Sequence, residues 1–168
     1  MKILFICTHN RCRSILSEAI CNHVGGAELQ GVSAGSQPVG EVHPLSLKFL
    51  AERGVSTAGL RSKSWQDFAD DQPDLAITVC DSAAGESCPL WMGNCPKVHW
   101  GLPDPSRLEG DENTLREAFF AVMDCIEARL KALLATDLSN GDAASIKAVM
   151  ASIAEQIPAP QFTTGESH

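Results

Sequence analysis

The chain has 168 residues, of which 44% are hydrophobic and 20% charged, and its formal net charge is -8 at pH 7. This length fits one domain with a buried core. The acidic charge argues against binding to nucleic acid or to anionic membranes, and the apolar runs are too short for a signal peptide or a membrane span.

Short apolar runs alternate with helical patterns along most of the chain. Short apolar stretches predict buried strands at Lys2–Ile6, 74–79 and 97–100, and Gln30–Ala34, which ends at Gly35, is a further short strand candidate. Apolar residues at helical spacing predict a helix over 15–24 that two glycines end, a second over 44–53 and a long third from Thr114. Glu117 predicts a capping box with Thr114, and 65–69 is predicted as a short helical turn.

This alternation predicts an α/β fold. Right-handed crossovers between successive strands give a four-stranded parallel sheet flanked by helices on both faces, in a single domain. Ligands of such sheets bind at the carboxyl ends of strands, where Cys7, Cys80 and the loop after Trp100 all fall. We expect the main domain to span 1–134. An extension over 135–168 is expected to hold one helix, at about 143–157, and a disordered end rich in Pro, Thr, Gly and Ser.

Residues 7–14, CTHNRCRS, connect the first predicted strand to the first predicted helix. A loop of this length can wrap its N–H groups around a tetrahedral oxyanion, at which the helix points its positive end. Arg13 would bind two anion oxygens and would help to hold Cys7 as a thiolate, below the ordinary pKa of about 8.5. Ser14 can donate to that thiolate, and Asn10 can adopt the left-handed conformation. The predicted oxyanion contacts are Thr8, His9, Asn10, Arg11, Cys12 and Arg13.

The loop resembles the signature loop of the low-molecular-weight tyrosine phosphatase fold, and especially that of its arsenate reductases. Residues 33–35 (SAG) are similar to the family's second strand end, and 99–105 (HWGLPDP) resembles its general-acid loop. The similarity covers roughly residues 2–134. It implies the same fold, and it implies that Asp104, held between two prolines, donates a proton to the leaving oxygen.

The number of cysteines distinguishes between activities within this family. The chain has seven cysteines and no tyrosine, and Ser106 stands where phosphatases of this fold usually carry aromatic residues. The odd count and the expected cytoplasmic location argue against a static disulfide framework. The resemblance to arsenate reductases implies a catalytic role for several thiols, and with it a part in arsenic resistance.

The resemblance also implies an order for the thiols. Cys7 attacks arsenate, Cys80 attacks Cys7 to release arsenite, and Cys88 resolves that disulfide; thioredoxin, or glutaredoxin with glutathione, then reduces the Cys80–Cys88 disulfide. Cys95 is a second candidate for the resolving thiol, and Cys12 could protect Cys7 as a loop disulfide. The remaining cysteines are expected in the core: Cys21 and Cys125. We expect a monomer that needs no cofactor.

Some family members hold a cation behind the loop, using Asn, Glu and Ser side chains. Asn10, Glu18 and Ser33 match these positions, but Lys63 stands where an acidic residue is expected. No metal is therefore predicted, because a lysine could replace the cation. Three other functions stay open: a phosphatase with redox-regulated cysteines, an arsenite or redox sensor, and a zinc module that uses Cys80, Cys88, Cys95 and His99.

Overall fold

Four strands and four helices occupy the residues that the computed structural model describes, namely 1–68, 70, 73–80, 95–136 and 142–161. The strands are β1 (Lys2–Ile6), β2 (Gln30–Ala34), β3 (Leu75–Thr78) and β4 (Lys97–His99). The helices are α1 (Arg13–Gly25), α2 (Pro44–Glu52), α3 (Glu112–Leu134) and α4 (Ala143–Gln156). Two 3-10 turns cover Trp65–Phe68 and Pro105–Arg107.

The strands form one parallel sheet in the order β2-β1-β3-β4. Successive side chains of the central strand β1 point to opposite faces of the sheet, and Ile3, Leu4, Phe5 and Ile6 are each at most 1% exposed. Both faces are therefore covered, as parallel sheets require. The predicted α/β fold is confirmed, and Cys7 follows β1 at the edge of the sheet where strands end.

Helix α3 begins earlier than the sequence pattern predicts. It starts at Glu112, and the Asp111 side chain accepts a hydrogen bond of 2.8 Å from the Thr114 backbone N–H. The predicted capping box at Thr114 is therefore wrong. Asp111 is the N-cap because its carboxylate can accept the bond from a backbone N–H in the first turn, which has no partner within the helix.

The C-terminal helix α4 packs against α3 and β4 and shares the main hydrophobic core through Met150 and Ile153. It lies within the range predicted for the extension. Cys125 and Cys21 are buried in this core, as predicted.

The end that was predicted to be disordered falls, from residue 162 onward, outside the described residues. Within the described ranges, no helix is long and apolar enough to span a membrane.

Candidate active site

The backbone of the loop 7–14 turns its carbonyl groups outward. The carbonyl oxygens of Thr8, His9 and Arg11 accept hydrogen bonds of 2.9, 3.2 and 2.9 Å from backbone N–H groups of the segment 37–43. In a planar trans peptide, the next N–H points away from the carbonyl. The N–H groups that follow these carbonyls therefore point toward the centre of the loop, where convergent amides and the start of α1 make an anion cradle.

Gly35 holds the loop close to the end of β2. Its N–H donates to the Lys63 carbonyl at 2.9 Å, and its carbonyl accepts from the Trp65 N–H at 3.0 Å. A Cβ at this position would lie 2.5 Å from the Thr8 carbonyl oxygen and 2.8 Å from that of Cys7. Only glycine allows this approach. Gly35 therefore fixes the position of the loop, although it is not one of the residues that would bind the anion.

We expect Gly35→Ala to weaken anion binding at least about tenfold, because the loop must move to relieve the contact. The measurement is the phosphate concentration that protects Cys7 from alkylation. Gly59→Ala is the control for a substitution without a steric contact, since a Cβ at Gly59 would meet nothing within 4 Å, although its φ of 78° strains an alanine. It should cost about 1 kcal/mol of stability and leave protection unchanged. Equal protection in both variants would contradict this role of Gly35.

A buried asparagine determines the shape of the loop from inside. Asn10 has φ 50° and is 0% exposed, which confirms the predicted left-handed conformation. Its Nδ2 donates to Ser14 Oγ at 2.7 Å and to Ser33 Oγ at 3.0 Å, and its Oδ1 accepts from the Lys63 N–H at 2.7 Å. Because Ser14 Oγ accepts here, its own proton can still be donated, as a bond to Cys7 would require.

Lys63 lies among the side chains that match the family's cation ligands. It is 7% exposed, and its Nζ contacts Glu18 Oε1 at 3.1 Å, Ser33 Oγ at 3.5 Å and the Arg61 carbonyl at 2.7 Å. Ser33 Oγ also donates to Glu18 Oε1 at 2.6 Å. The lysine thus brings a positive charge behind the loop, where it is paired and hydrogen-bonded, as a buried charge must be.

Arg13 connects the loop to the segment that carries Asp104. Its Nη1 donates to the Leu102 carbonyl at 3.0 Å, and its Nη2 lies 3.7 Å from Asp104 Oδ2. Its Nε is buried and has no hydrogen-bond partner within the described part of the chain. An unpaired buried donor is costly, so this N–H is available to a bound oxyanion.

The two oxygens of Asp104 have different surroundings. Oδ1 accepts from the Ser106 N–H at 3.0 Å and from Ser106 Oγ at 2.6 Å, which makes Asp104 the cap of a 3-10 turn. Oδ2 lies 3.6 Å from Arg107 Nε and faces Arg13. The Ser106 contacts leave Oδ2 as the oxygen that can carry a proton toward the cavity.

Cys7 and Cys80 form a pair of neighbouring thiols. Both are buried, and Cys80 Sγ lies 3.7 Å from Oγ1 of Thr8, the residue that follows Cys7. A side-chain hydrogen bond with Cys80 and burial raise the pKa of Cys7, whereas Arg13 and the His9 amide lower it. The expectation that the loop and Arg13 hold the pKa of Cys7 below its ordinary value is therefore wrong for this arrangement. It took no account of a second thiol against the first.

A small polar cavity opens above Cys7. Its volume is about 160 Å³, which is room for about five waters at about 30 Å³ each. Burial raises the pKa of Cys12 to about 12, and burial together with Arg11 lowers the pKa of His43. No aromatic ring of Phe or Trp lines the cavity within the described residues, whose lining members are Cys7, His9, Arg11, Cys12, Arg13, His43, Asp104, Ser106 and Arg107.

The predicted residues beyond Cys80, namely Cys88, Cys95 and His99, have separate outcomes. Cys88 lies outside the described residues. Cys95 is partly buried and its thiol donates to the Pro96 carbonyl at 3.5 Å, while His99 Nδ1 is 2.8 Å from Thr78 Oγ1. No cluster of three or more His, Cys, Asp or Glu within the described ranges could hold a metal, although Cys80, Cys95 and His99 are all described.

The sequence patterns assign no role in shaping the site to three residues that do shape it: Gly35, Ser106 and His43. Ser106 had a signal, because an Asp followed two residues later by Ser is typical of a side-chain-capped turn. His43 had none, because it lies 30 residues or more from the loop positions it joins at the cavity.

Comparisons with known proteins agree with this geometry. Residues 2–149 match the family described as low molecular weight phosphotyrosine protein phosphatase. An arsenate reductase of Halalkalibacterium halodurans is 34% identical over 134 residues, which are 80% of this chain and 95% of that protein. An arsenate reductase of Bacillus subtilis is 33% identical over 129 residues, 77% of this chain and 91% of that protein.

Solved structures give the same result. The thioredoxin-dependent arsenate reductase of Corynebacterium glutamicum superimposes with a TM-score of 0.59 at 31% identity, over 80% of this chain and 60% of that chain. The arsenate reductase of Archaeoglobus fulgidus has a TM-score of 0.63 at 30% identity, over 80% of this chain and 99% of that one.

Proposed function

The chain belongs to the low molecular weight phosphotyrosine protein phosphatase family, and within this family we propose that it reduces arsenate to arsenite. The observation that carries the proposal is the position of the buried Cys80 thiol, which lies 3.7 Å from Oγ1 of Thr8, the residue that follows Cys7 in the anion cradle. A phosphatase needs one nucleophilic thiol, whereas a two-electron reduction needs a second thiol that can reach the first. The similarity to arsenate reductases at 33–34% identity supports the same choice.

The first step is the formation of an adduct. Arsenate binds to the amides of residues 8–13 and to Arg13, whose buried Nε lacks another partner within the described residues. An oxygen of the bound arsenate accepts the Cys7 proton, and Cys7 then attacks arsenic as a thiolate that Arg13 and Ser14 stabilise. An arsenic–oxygen bond breaks, and Asp104 Oδ2 gives the leaving oxygen a proton so that it departs as water.

The second step transfers the electrons. The Cys80 sulfur attacks the Cys7 sulfur and its proton passes to an oxygen on arsenic. The sulfur–arsenic bond breaks, and its electron pair stays on arsenic, which leaves as arsenite. Two thiols have then lost two electrons and arsenic has gained them. The burial of Cys80 against Thr8 and Cys7 supports this step, because the attacking sulfur already lies beside its target.

The third step returns Cys7 to its reduced form. We assign the resolving thiol to Cys88, which leaves a Cys80–Cys88 disulfide for an external dithiol protein of the thioredoxin or glutaredoxin class to reduce. Cys95, whose thiol is bonded to the carbonyl of the next residue, is the second candidate. We also propose that the reaction takes place in the cytoplasm, where such reductants keep cysteines reduced.

A coupled assay tests the proposed function. Arsenate-dependent oxidation of NADPH is followed with thioredoxin and its reductase, and separately with glutaredoxin, glutathione and their reductase. We expect turnover with at least one donor and only slow hydrolysis of aryl phosphates. Rapid aryl phosphate hydrolysis with no arsenate turnover under either donor would favour the redox-regulated phosphatase instead.

We expect Asp104→Asn to slow the expulsion of poor leaving groups more than that of good ones, because an amide cannot supply the proton. Phenyl phosphate turnover should fall about 10²-fold and p-nitrophenyl phosphate turnover by much less. Ser106→Ala is the matched control, since it keeps the carboxyl group but removes one of its hydrogen bonds. An equal loss on both substrates would remove Asp104 from the acid role.

A further inference from the structure

Trp100 joins the C-terminal helix to the segment that carries Asp104. The residue follows β4 directly and is 3% exposed. Its Nε1 donates a hydrogen bond of 2.9 Å to the Met150 carbonyl in the interior of α4. The Arg129 guanidinium, on α3, lies 5.7 Å from the centre of the indole ring. The ring is thus fixed at its polar edge by one helix and over its face by another.

The backbone that follows Trp100 runs straight to the anion site. The N–H groups of Trp100 and Leu102 donate to the Thr78 and Val79 carbonyls at 2.8 and 3.0 Å. The Leu102 carbonyl accepts from Arg13 Nη1, and Asp104 comes two residues later. Leu102 is held on both sides by these bonds, so a shift of the Trp100 side chain that moves the segment is expected to reach the Asp104 carboxyl group rather than Arg13.

A second hydrogen bond holds the C-terminal end of α4, in addition to the Trp100 contact with Met150 in its interior. Arg129 Nε donates to the Ile157 carbonyl at 2.9 Å, just beyond the last turn of α4. The same arginine therefore stacks on Trp100 and fixes the helix that accepts the Trp100 hydrogen bond. The buried side chains Met150 and Ile153 complete the packing of the helix on the core.

We propose that Trp100 is a positioning residue for the acid step, and that α4 serves as its anchor through the Met150 carbonyl. This inference rests on the proposed function in that Asp104 is taken as the proton donor. The hydrogen bond fixes where the segment 100–104 leaves the sheet, and so fixes the position of Asp104 Oδ2 beside Arg13. Displacing a catalytic group by about 1 Å costs up to about 10²-fold in rate, so a single indole N–H placed before the acid loop matters for turnover.

The test is a double-mutant cycle on the full chain with Trp100→Phe, Asp104→Asn and the pair. Phenylalanine keeps an aromatic ring in the core but cannot donate to Met150. We expect Trp100→Phe to slow single-turnover release of arsenite about tenfold and to leave the phosphate concentration that protects Cys7 unchanged. In the Asp104→Asn background the same substitution should cost less than about twofold, because Trp100 acts through Asp104.

Ile153→Val is the matched control for lost stability, because it thins the packing of α4 without touching the Trp100 hydrogen bond. It should lower the Tm as much as Trp100→Phe and leave the rate unchanged. The proposal would be overturned if the rate losses of the two single mutants multiply in the double mutant. It would also be overturned if Ile153→Val slows the reaction as much as Trp100→Phe does. If the wild type does not reduce arsenate, the proposed function fails, and the same cycle run on phenyl phosphate still decides the role of Trp100.

Discussion

Replacement of Cys7 by serine is expected to abolish arsenate reduction, by at least about 10⁴-fold, and any aryl phosphate hydrolysis with it. A serine hydroxyl in this cradle is a far weaker nucleophile than a thiolate, and it cannot form the first sulfur–arsenic bond. The coupled assay measures the rate, and circular dichroism with thermal unfolding checks the fold.

Cys125→Ser is the matched control for that experiment. Cys125 is also a buried cysteine, its thiol donates to the Pro158 carbonyl at 3.8 Å, and a hydroxyl can do the same. It should retain full turnover. A folded Cys7→Ser protein that still reduces arsenate at a substantial rate would show that another thiol is the nucleophile.

Replacement of Cys80 by alanine is expected to have two separate effects. Arsenite production should fall at least about 10²-fold, because no internal thiol remains beside the Cys7 adduct, while arsenate should still protect Cys7 from alkylation. The pKa of Cys7 should fall, because the hydrogen bond to Cys80 is the largest cause that raises it. A lower pKa means more thiolate at a given pH, so the pH profile of Cys7 alkylation should shift to lower pH.

Cys21→Ala provides the control for these two effects, since Cys21 is equally buried but lies on the core face of α1. It should change neither arsenite production nor the alkylation profile of Cys7. An unchanged alkylation profile in Cys80→Ala would mean that the two thiols do not share a hydrogen bond. Normal arsenate turnover in that variant would exclude Cys80 from the relay.

Local patterns in the sequence were sufficient for most of the fold. The strands β1 and β2 have the predicted bounds, because β1 is an apolar run that a polar loop ends and β2 ends before a glycine. The start of α3 was missed because two capping signals, Asp111 and Thr114, stand close together and the choice between them is made by side-chain geometry. The left-handed conformation of Asn10 follows from the residue type in a tight loop.

The electrostatics of the site could not be predicted in the same way. The pKa of Cys7 depends on Cys80, which is 73 residues away and whose distance from Cys7 is set by the pairing of β1 with β3. The contact of Lys63 with Glu18 joins residues 45 apart, and the Trp100 contact with Met150 joins residues 50 apart. The type of a residue predicts which reactions its side chain can take part in. The neighbours that shift its pKa or fix its position are brought to it only when the chain folds.

The central claim is that the electrons for arsenate come from Cys80 by way of Cys7. A single turnover with arsenate in the absence of any external reductant, followed by alkylation, peptide mapping and arsenite measurement, tests it most directly. We expect one arsenite per chain, a free Cys7 and a Cys80–Cys88 disulfide; a Cys80–Cys95 disulfide would reassign only the resolving thiol. A disulfide found only between Cys7 and Cys12, with Cys80 still reduced and no arsenite released, would contradict the claim.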